Sequence, residues 1–109
     1  MKDNRDEREY TRLVPKVDIV ERKDEFVLMA DLPGVNDKGL EVTLDRDQLT
    51  IHGRTAEEAY ATYEYERSFT LTDRIDKTGI KAAIKDGVLT LSFPYAEEAK
   101  AKKIPVTYN

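Results

Sequence analysis

From residue 13 to residue 95 the apolar positions recur at every second residue, the period that puts successive side chains on opposite faces of a β-strand. Val17 and Ile19 alternate with Asp18; Phe26, Leu28, Ala30 and Leu32 share one face of a second segment, with Val27, Met29 and Asp31 on the other. Pro33-Gly34 then breaks the pattern as a turn. Leu40, Val42 and Leu44 alternate with Glu41, Thr43 and Asp45, and Asp45-Arg46-Asp47 reads as the loop of a hairpin into residues 49–52. Residues 60–71 alternate without interruption, with Tyr63, Tyr65, Phe69 and Leu71 on one face and Thr62, Glu64, Glu66 and Ser68 on the other, which predicts a strand about twice the usual length. Ile80, Ala82 and Ile84 lead into Asp86-Gly87, a strong hairpin signal because glycine takes positive φ without steric cost. Leu89, Leu91 and Phe93 form the return strand, which Pro94 ends. Roughly seven short strands with turns about every 8 to 12 residues predict an all-β, antiparallel β-sandwich over residues 13–95.

The flanks differ in kind. Residues 1–12 carry four charges of each sign and no aliphatic residue beyond Met1, so they bury too little to offset the entropy of ordering and are expected to be a short disordered arm. Residues 96–103 have helix-forming composition but fall short of the ~12–15 residues at which isolated helices become marginal, so residues 96–109 are expected to be a flexible extension. Within it Ile104-Pro105-Val106 is an apolar cluster stranded in polar sequence, held extended by proline.

Composition narrows the function. The 109 residues are 39% hydrophobic and 37% charged, enough for one modest core, and the absence of cysteine leaves that core to hold the fold without disulfides or thiolate sites. One histidine, His52, excludes a His-rich metal cluster, and any Ser-His-acid triad would have to pass through it; alternation places it instead on a strand face with Thr50 and Arg54. The adjacent acids Glu57-Glu58 and Glu97-Glu98 lie on polar segments with no apolar pocket to split their pKa values, so they read as solvating charges. A net charge of -4, of which -5 falls between the neutral arm and the +1 tail, argues against nucleic-acid binding. The longest apolar run, residues 26–30, is far short of the ~20 residues a membrane span needs, and the first twelve residues lack the apolar region of a signal peptide. The expectation is a non-enzymatic cytoplasmic protein without cofactor, metal, nucleic-acid or membrane partner.

Ala82-Ala83-Ile84-Lys85-Asp86-Gly87-Val88-Leu89 resembles the A-x-x-x-n-G-V-L signature in the last hairpin of the α-crystallin domain of small heat-shock proteins. Asp31-Leu32-Pro33-Gly34-Val35, Leu49-Thr50-Ile51-His52-Gly53-Arg54, Arg67-Ser68-Phe69-Thr70-Leu71 and the terminal Ile104-Pro105-Val106 resemble the family's other landmarks, in the family's order, across residues 15–106. The resemblance implies an immunoglobulin-like sandwich and an ATP-independent holdase that binds unfolding or aggregation-prone client proteins. It also implies that the Leu40, Val42, Leu44 strand and the Ile80, Ala82, Ile84 strand form an edge groove for the Ile-x-Val tail of a neighbouring subunit, with small Ala82 leaving room. Period alone allows all six to face the sandwich core instead, and allows Ile104 and Val106 to fold back on their own domain.

Arg67 corresponds by its place before Ser68-Phe69 to the family's dimer-interface arginine; read alone, it is an exposed strand arginine that could pair with Glu41 or Asp45. Bacterial and plant members carry an extra strand, swapped onto the partner, in a long loop where this chain has only residues 55–65. The expected dimer is therefore the one resembling animal members, in which the strand of residues 60–71 pairs with its symmetry mate through an interface rich in Tyr63, Tyr65 and Arg67. With so brief and charged an arm, homodimers or small homo-oligomers and modest holdase strength are expected. The competing readings are a CS-domain-type cochaperone, whose sandwich lacks the signature hairpin followed by Ile-x-Val, and a regulatory partner subunit of larger small heat-shock proteins.

Overall fold

A computed structural model describes residues 9–109. Eight strands run in the order β1 (Thr11–Leu13), β2 (Val17–Glu21), β3 (Glu25–Asp31), β4 (Leu40–Asp45), β5 (Gln48–Arg54), β6 (Tyr63–Thr70), β7 (Lys81–Lys85) and β8 (Val88–Pro94). They form two four-stranded sheets, β1-β6-β5-β4 and β2-β3-β8-β7. Every pairing is antiparallel except β1 with β6.

The alternation of the sequence becomes the inside and outside of this sandwich. Leu28 and Ala30 of β3, Leu49 and Ile51 of β5, Tyr65 of β6, and Leu89, Leu91 and Phe93 of β8 are buried, joined by Leu32, Val35, Leu71 and Ile75 from the connections. Phe26 and Phe93 are register partners across β3 and β8 and stack with ring centroids 4.5 Å apart. The β7–β8 turn is the two-residue Asp86-Gly87 loop, with φ of 52° and 75°. The handedness that lets the strands keep their twist requires both residues to have positive φ. The Gly87 carbonyl accepts from Leu32 N–H at 2.7 Å, and a Cβ on Gly87 would sit 3.2 Å from the Leu32 oxygen, so this turn also closes against the Pro33 corner.

Two expectations are corrected. Residues 11–13, assigned to the end of a disordered arm and the start of the domain, form a strand on the β6 edge; the rest of that arm, residues 1–8, lies outside the described residues. The strand of residues 60–71 is shorter, Tyr63–Thr70, because Thr55 closes the preceding loop. Thr55 N–H donates to the Tyr63 carbonyl and Tyr63 N–H to Thr55 Oγ1, each at 3.0 Å, while Ala56 N–H donates to the Gly34 carbonyl at 2.8 Å. Within the subunit β6 pairs with β5 over Glu64–Thr70 and with β1 over Tyr63–Tyr65.

Candidate functional site

Each sheet ends in two edge strands, β1 and β4 in one and β2 and β7 in the other. β1 and β2 lie at corresponding edges of their sheets and are joined by only three residues, 14–16, so those edges share one side of the sandwich. β4 and β7, the opposite edges, therefore share the other side. Leu40 and Val42 on β4, and Ile84 on β7 with Ile80 just ahead of it, are half-buried and packed against the core. Leu44 and Ala82 are exposed. These six side chains are thus neither wholly core nor wholly surface: they lie on the two edge strands that the resemblance assigns to a groove, the candidate slot, with exposed Glu41, Thr43, Lys81 and Lys85 on the same strands.

Each slot strand is entered the same way, a regularity that the sequence contains and that alternation alone passes over. Asn36-Asp37-Lys38-Gly39-Leu40 and Asp76-Lys77-Thr78-Gly79-Ile80 both read Asx-x-x-Gly-aliphatic, and each forms a one-turn 3₁₀ helix that delivers its aliphatic residue to the strand. Asn36 Oδ1 accepts from Lys38 N–H at 3.0 Å and Gly39 N–H at 3.3 Å. Asp76 Oδ1 accepts from Thr78 N–H at 3.0 Å and Thr78 Oγ1–H at 2.6 Å, bonds that hold the Asp76 carboxyl below its ordinary pKa. Lys77 in the second turn reaches Asp47 of the β4–β5 loop at 2.8 Å, tying the two sheets together.

The tail leaves from the same sheet. Tyr95 N–H donates to the Asp24 carbonyl and Ala96 N–H to the Arg74 carbonyl, and Glu97–Ala99 form a single 3₁₀ turn. Ile104 is 79% exposed and Val106 91% exposed, so the tail is not folded back on its own domain. In the signature hairpin, Asp86 and Gly87 make the turn, Leu89 is core, Ala82 is exposed on the edge strand β7, and Val88 is partly exposed.

The expected interface residues separate. Tyr65 is 4% exposed and its hydroxyl donates to the Pro33 carbonyl at 3.2 Å, so it serves the core and is not presented to a partner. Tyr63 is half-buried with its ring edge-on to Tyr65. Arg67 Nη1 donates to the Pro15 carbonyl at 3.1 Å and its guanidinium lies 5.1 Å over the Phe69 ring, in place of any pairing with Glu41 or Asp45.

On the outer face of β5 and β6, Glu64 gathers two arginines and the His52 imidazole. Arg54 Nε is 2.8 Å away, His52 Nε2 3.3 Å and Arg12 Nε of β1 3.3 Å, around a carboxylate only 13% exposed. The Arg54 bond is the largest cause that lowers the Glu64 pKa from its ordinary 4.5, outweighing the opposing effect of burial. A carboxyl whose folded pKa is depressed contributes stability above its unfolded pKa and loses it as pH falls through the folded value. Glu64→Gln should therefore lower the urea midpoint at pH 7, and the two proteins should converge as pH drops below about 4. A gap that stays constant as the pH is lowered through the acid range would assign the effect to packing.

Among the described residues no three His, Asp or Glu side chains are grouped to hold a metal ion, and no helix is long and apolar enough to cross a membrane. The family model for the Hsp20/alpha crystallin family matches residues 18–107. A probable 15 kDa heat shock protein of Leptospira interrogans is 40% identical over 103 residues, covering 86% of this chain and 78% of that protein. Spore protein SP21 of Stigmatella aurantiaca is 38% identical over 85% of this chain and 62% of its own length. Among solved structures, a small heat-shock protein from Xylella fastidiosa superposes with a TM-score of 0.70 at 34% identity, covering 90% of this chain and all of that one. The match is thus to the small heat-shock proteins, which are chaperones rather than enzymes. With the sandwich, the signature hairpin and a match over residues 18–107 in agreement, the chain belongs to the Hsp20/alpha crystallin family of small heat-shock proteins.

Proposed function

We propose that this chain is an ATP-independent holdase, acting in the cytoplasm, whose β4/β7 slot receives either apolar segments of unfolding clients or the Ile104-Pro105-Val106 tail of a neighbouring subunit. One observation carries the reading: half-buried apolar side chains along the β4 and β7 edges and an exposed apolar tail motif occur in the same chain. Burying Ile104 and Val106 offers roughly 3–6 kcal/mol gross. Ordering the tail offsets much of that, since each fixed backbone residue costs about 1–2 kcal/mol. The contact is consequently weak and reversible, as a clip that yields to clients has to be. The surrounding charge keeps an apolar edge soluble.

The test is client aggregation followed by light scattering, with and without ATP, for the intact chain and for the chain ended after Lys103. Suppression by the intact chain, unchanged by ATP, is expected. The truncated chain should form smaller assemblies and hold clients at least as well per subunit, because its slots are vacated. If neither form suppresses aggregation, the holdase reading fails and a regulatory subunit that caps larger relatives takes its place.

A further inference from the structure

We propose that the outer face of the β2-β3-β8-β7 sheet is a self-association surface, on which a second copy of this chain packs face to face about a twofold axis running along β8. The two outer faces of the sandwich differ. Register and alternation put only polar side chains on the outside of the β1-β6-β5-β4 sheet, from Glu41 and Thr43 of β4 to Glu66 and Ser68 of β6. The outside of the other sheet carries Val20, Val27, Met29, Ala83 and Val88, with Val20 43%, Met29 36% and Val88 37% exposed. An antiparallel sheet turned to water ordinarily keeps that side polar. An apolar centre on one face, with none on the other, marks an interaction surface.

The charges on this face say what covers it. They are sorted by strand, with Asp18 on β2 and Glu25 and Asp31 on β3, but Lys81 and Lys85 on β7. Glu25 is engaged by Ser92, whose hydroxyl donates to its carboxylate at 2.9 Å. Asp31 and Lys85 both lie level with Val88, one on each side of β8, roughly 10 Å apart at two strand spacings. Among the described residues neither makes an ion pair. A face with acids on one half, bases on the other and apolar side chains between is complementary to itself when turned over. Beside Asp31 a shallow hollow is floored by Met29 and Val88 and bordered by Lys16, Asp18 and Arg67, the last already donating to the Pro15 carbonyl. Such a hollow suits the aliphatic stem of a lysine whose ammonium reaches the carboxylate.

Charge also selects the axis. A twofold axis across the strands lays β7 on β7 and sets lysine against lysine. An axis along β8 brings β3 of each copy over β7 of the other, because these strands flank β8. Asp31 then meets Lys85 of the other copy on both sides of the axis, Val88 meets Val88, and Met29 meets Ala83, whose small side chain leaves it room. Val20 of β2 stays at the rim. Three strands spaced about 4.8 Å and rising about 3.3 Å per residue present a face of roughly 15 by 20 Å, which buries less than the ~1,200 Å² of a stable interface. The contact is therefore weak for an isolated pair and gains where other contacts already hold subunits together. Ala82 and Ile84 point to the opposite side of β7, so the candidate slot is left free.

Charge reversal on the full chain tests this. Asp31→Lys alone and Lys85→Asp alone each set like charges against one another at both contacts, and should weaken association roughly tenfold or more. The readout is the weight-average sedimentation coefficient over a concentration series. Mixed in equal amounts, the two variants again offer lysine to aspartate at both contacts and should sediment like wild type, a recovery that misfolded variants could not give. A second measurement keeps the wild-type residues: zero-length carbodiimide cross-linking of an equal mixture of isotope-labelled and unlabelled chains. An Asp31–Lys85 link that joins a labelled to an unlabelled peptide is expected, which no link within one chain produces. The proposal is overturned if the mixture sediments no faster than the single variants, or if that link joins only peptides of one label. Unchanged sedimentation of both single variants, with weaker suppression of client aggregation, would give the face to clients and overturn it too.

Discussion

Phe93→Ala is expected to remove about 3–5 kcal/mol of stability, the range for emptying a buried aromatic site. Phe93 is 1% exposed on β8, a central strand of its sheet, and its loss removes area burial together with the stacked contact to Phe26 at 4.5 Å. Such a ring pair contributes about 0.5–1.5 kcal/mol beyond area. Domains of this size have total stabilities of about 5–15 kcal/mol, so the change consumes a large share of the whole. With each kcal/mol moving the midpoint by about 4–8 °C, melting should fall by at least about 12 °C. No disulfide stands behind the core to limit the loss. Val88→Ala, on the same strand but partly exposed, supplies the contrast and should shift the midpoint by no more than a few degrees. Urea and thermal unfolding of the two variants check this. A Phe93→Ala cost below about 1 kcal/mol would mean that the core is not centred on β3 and β8.

What could be read in the sequence, and what could not, follows from the range of each signal. Alternation is local, and it correctly separates Leu28 and Ala30 from Met29, and Leu89, Leu91 and Phe93 from Thr90 and Ser92. The Asp86-Gly87 turn is equally local, because the positive φ it needs is a property of two residues. Strand edges are not local. Period two places Leu44, Ala82 and Tyr65 on inward faces but does not say which strands end a sheet, so the exposed Leu44 and Ala82 and the buried Tyr65 look alike until the order β1-β6-β5-β4 is known. β1 was invisible for a related reason. Thr11, Arg12 and Leu13 are all exposed, so no apolar period marks them, and their partner is 52 residues away. The start of β6 was misplaced because the hydrogen bonds of Thr55, not the alternation through Ala61 and Thr62, decide where pairing begins.

The candidate slot is named through resemblance, yet both of its strands are entered by the same Asx-x-x-Gly turn, and Gly39→Ala tests what that turn does. Gly39 is not among the residues with positive φ, and alanine in a backbone it can adopt usually stabilises by about 0.4–1 kcal/mol. The space around it decides the opposite way. A Cβ on Gly39 would collide with the Arg54 carbonyl oxygen, a backbone atom at the end of β5 that cannot swing aside as a side chain does. Relief requires β4 to lift from β5 where Leu40 pairs with Gly53, which is the mouth of the slot. The expected cost is at the upper end of the roughly 1–3 kcal/mol typical of overpacking, or beyond it. Gly79→Ala, at the matching place before β7, should cost less, because the atom it meets at 2.8 Å is Cγ of the Pro94 ring, which can repucker. Urea unfolding ranks the pair. Binding of a peptide carrying residues 100–109, measured on the folded proteins, reads the slot separately, since lifting Leu40 widens its mouth and should weaken binding in Gly39→Ala more than in Gly79→Ala. A Gly39→Ala protein as stable as wild type would show that β4 yields without cost, and the shared Asx-x-x-Gly turns would then have no part in setting the slot's width.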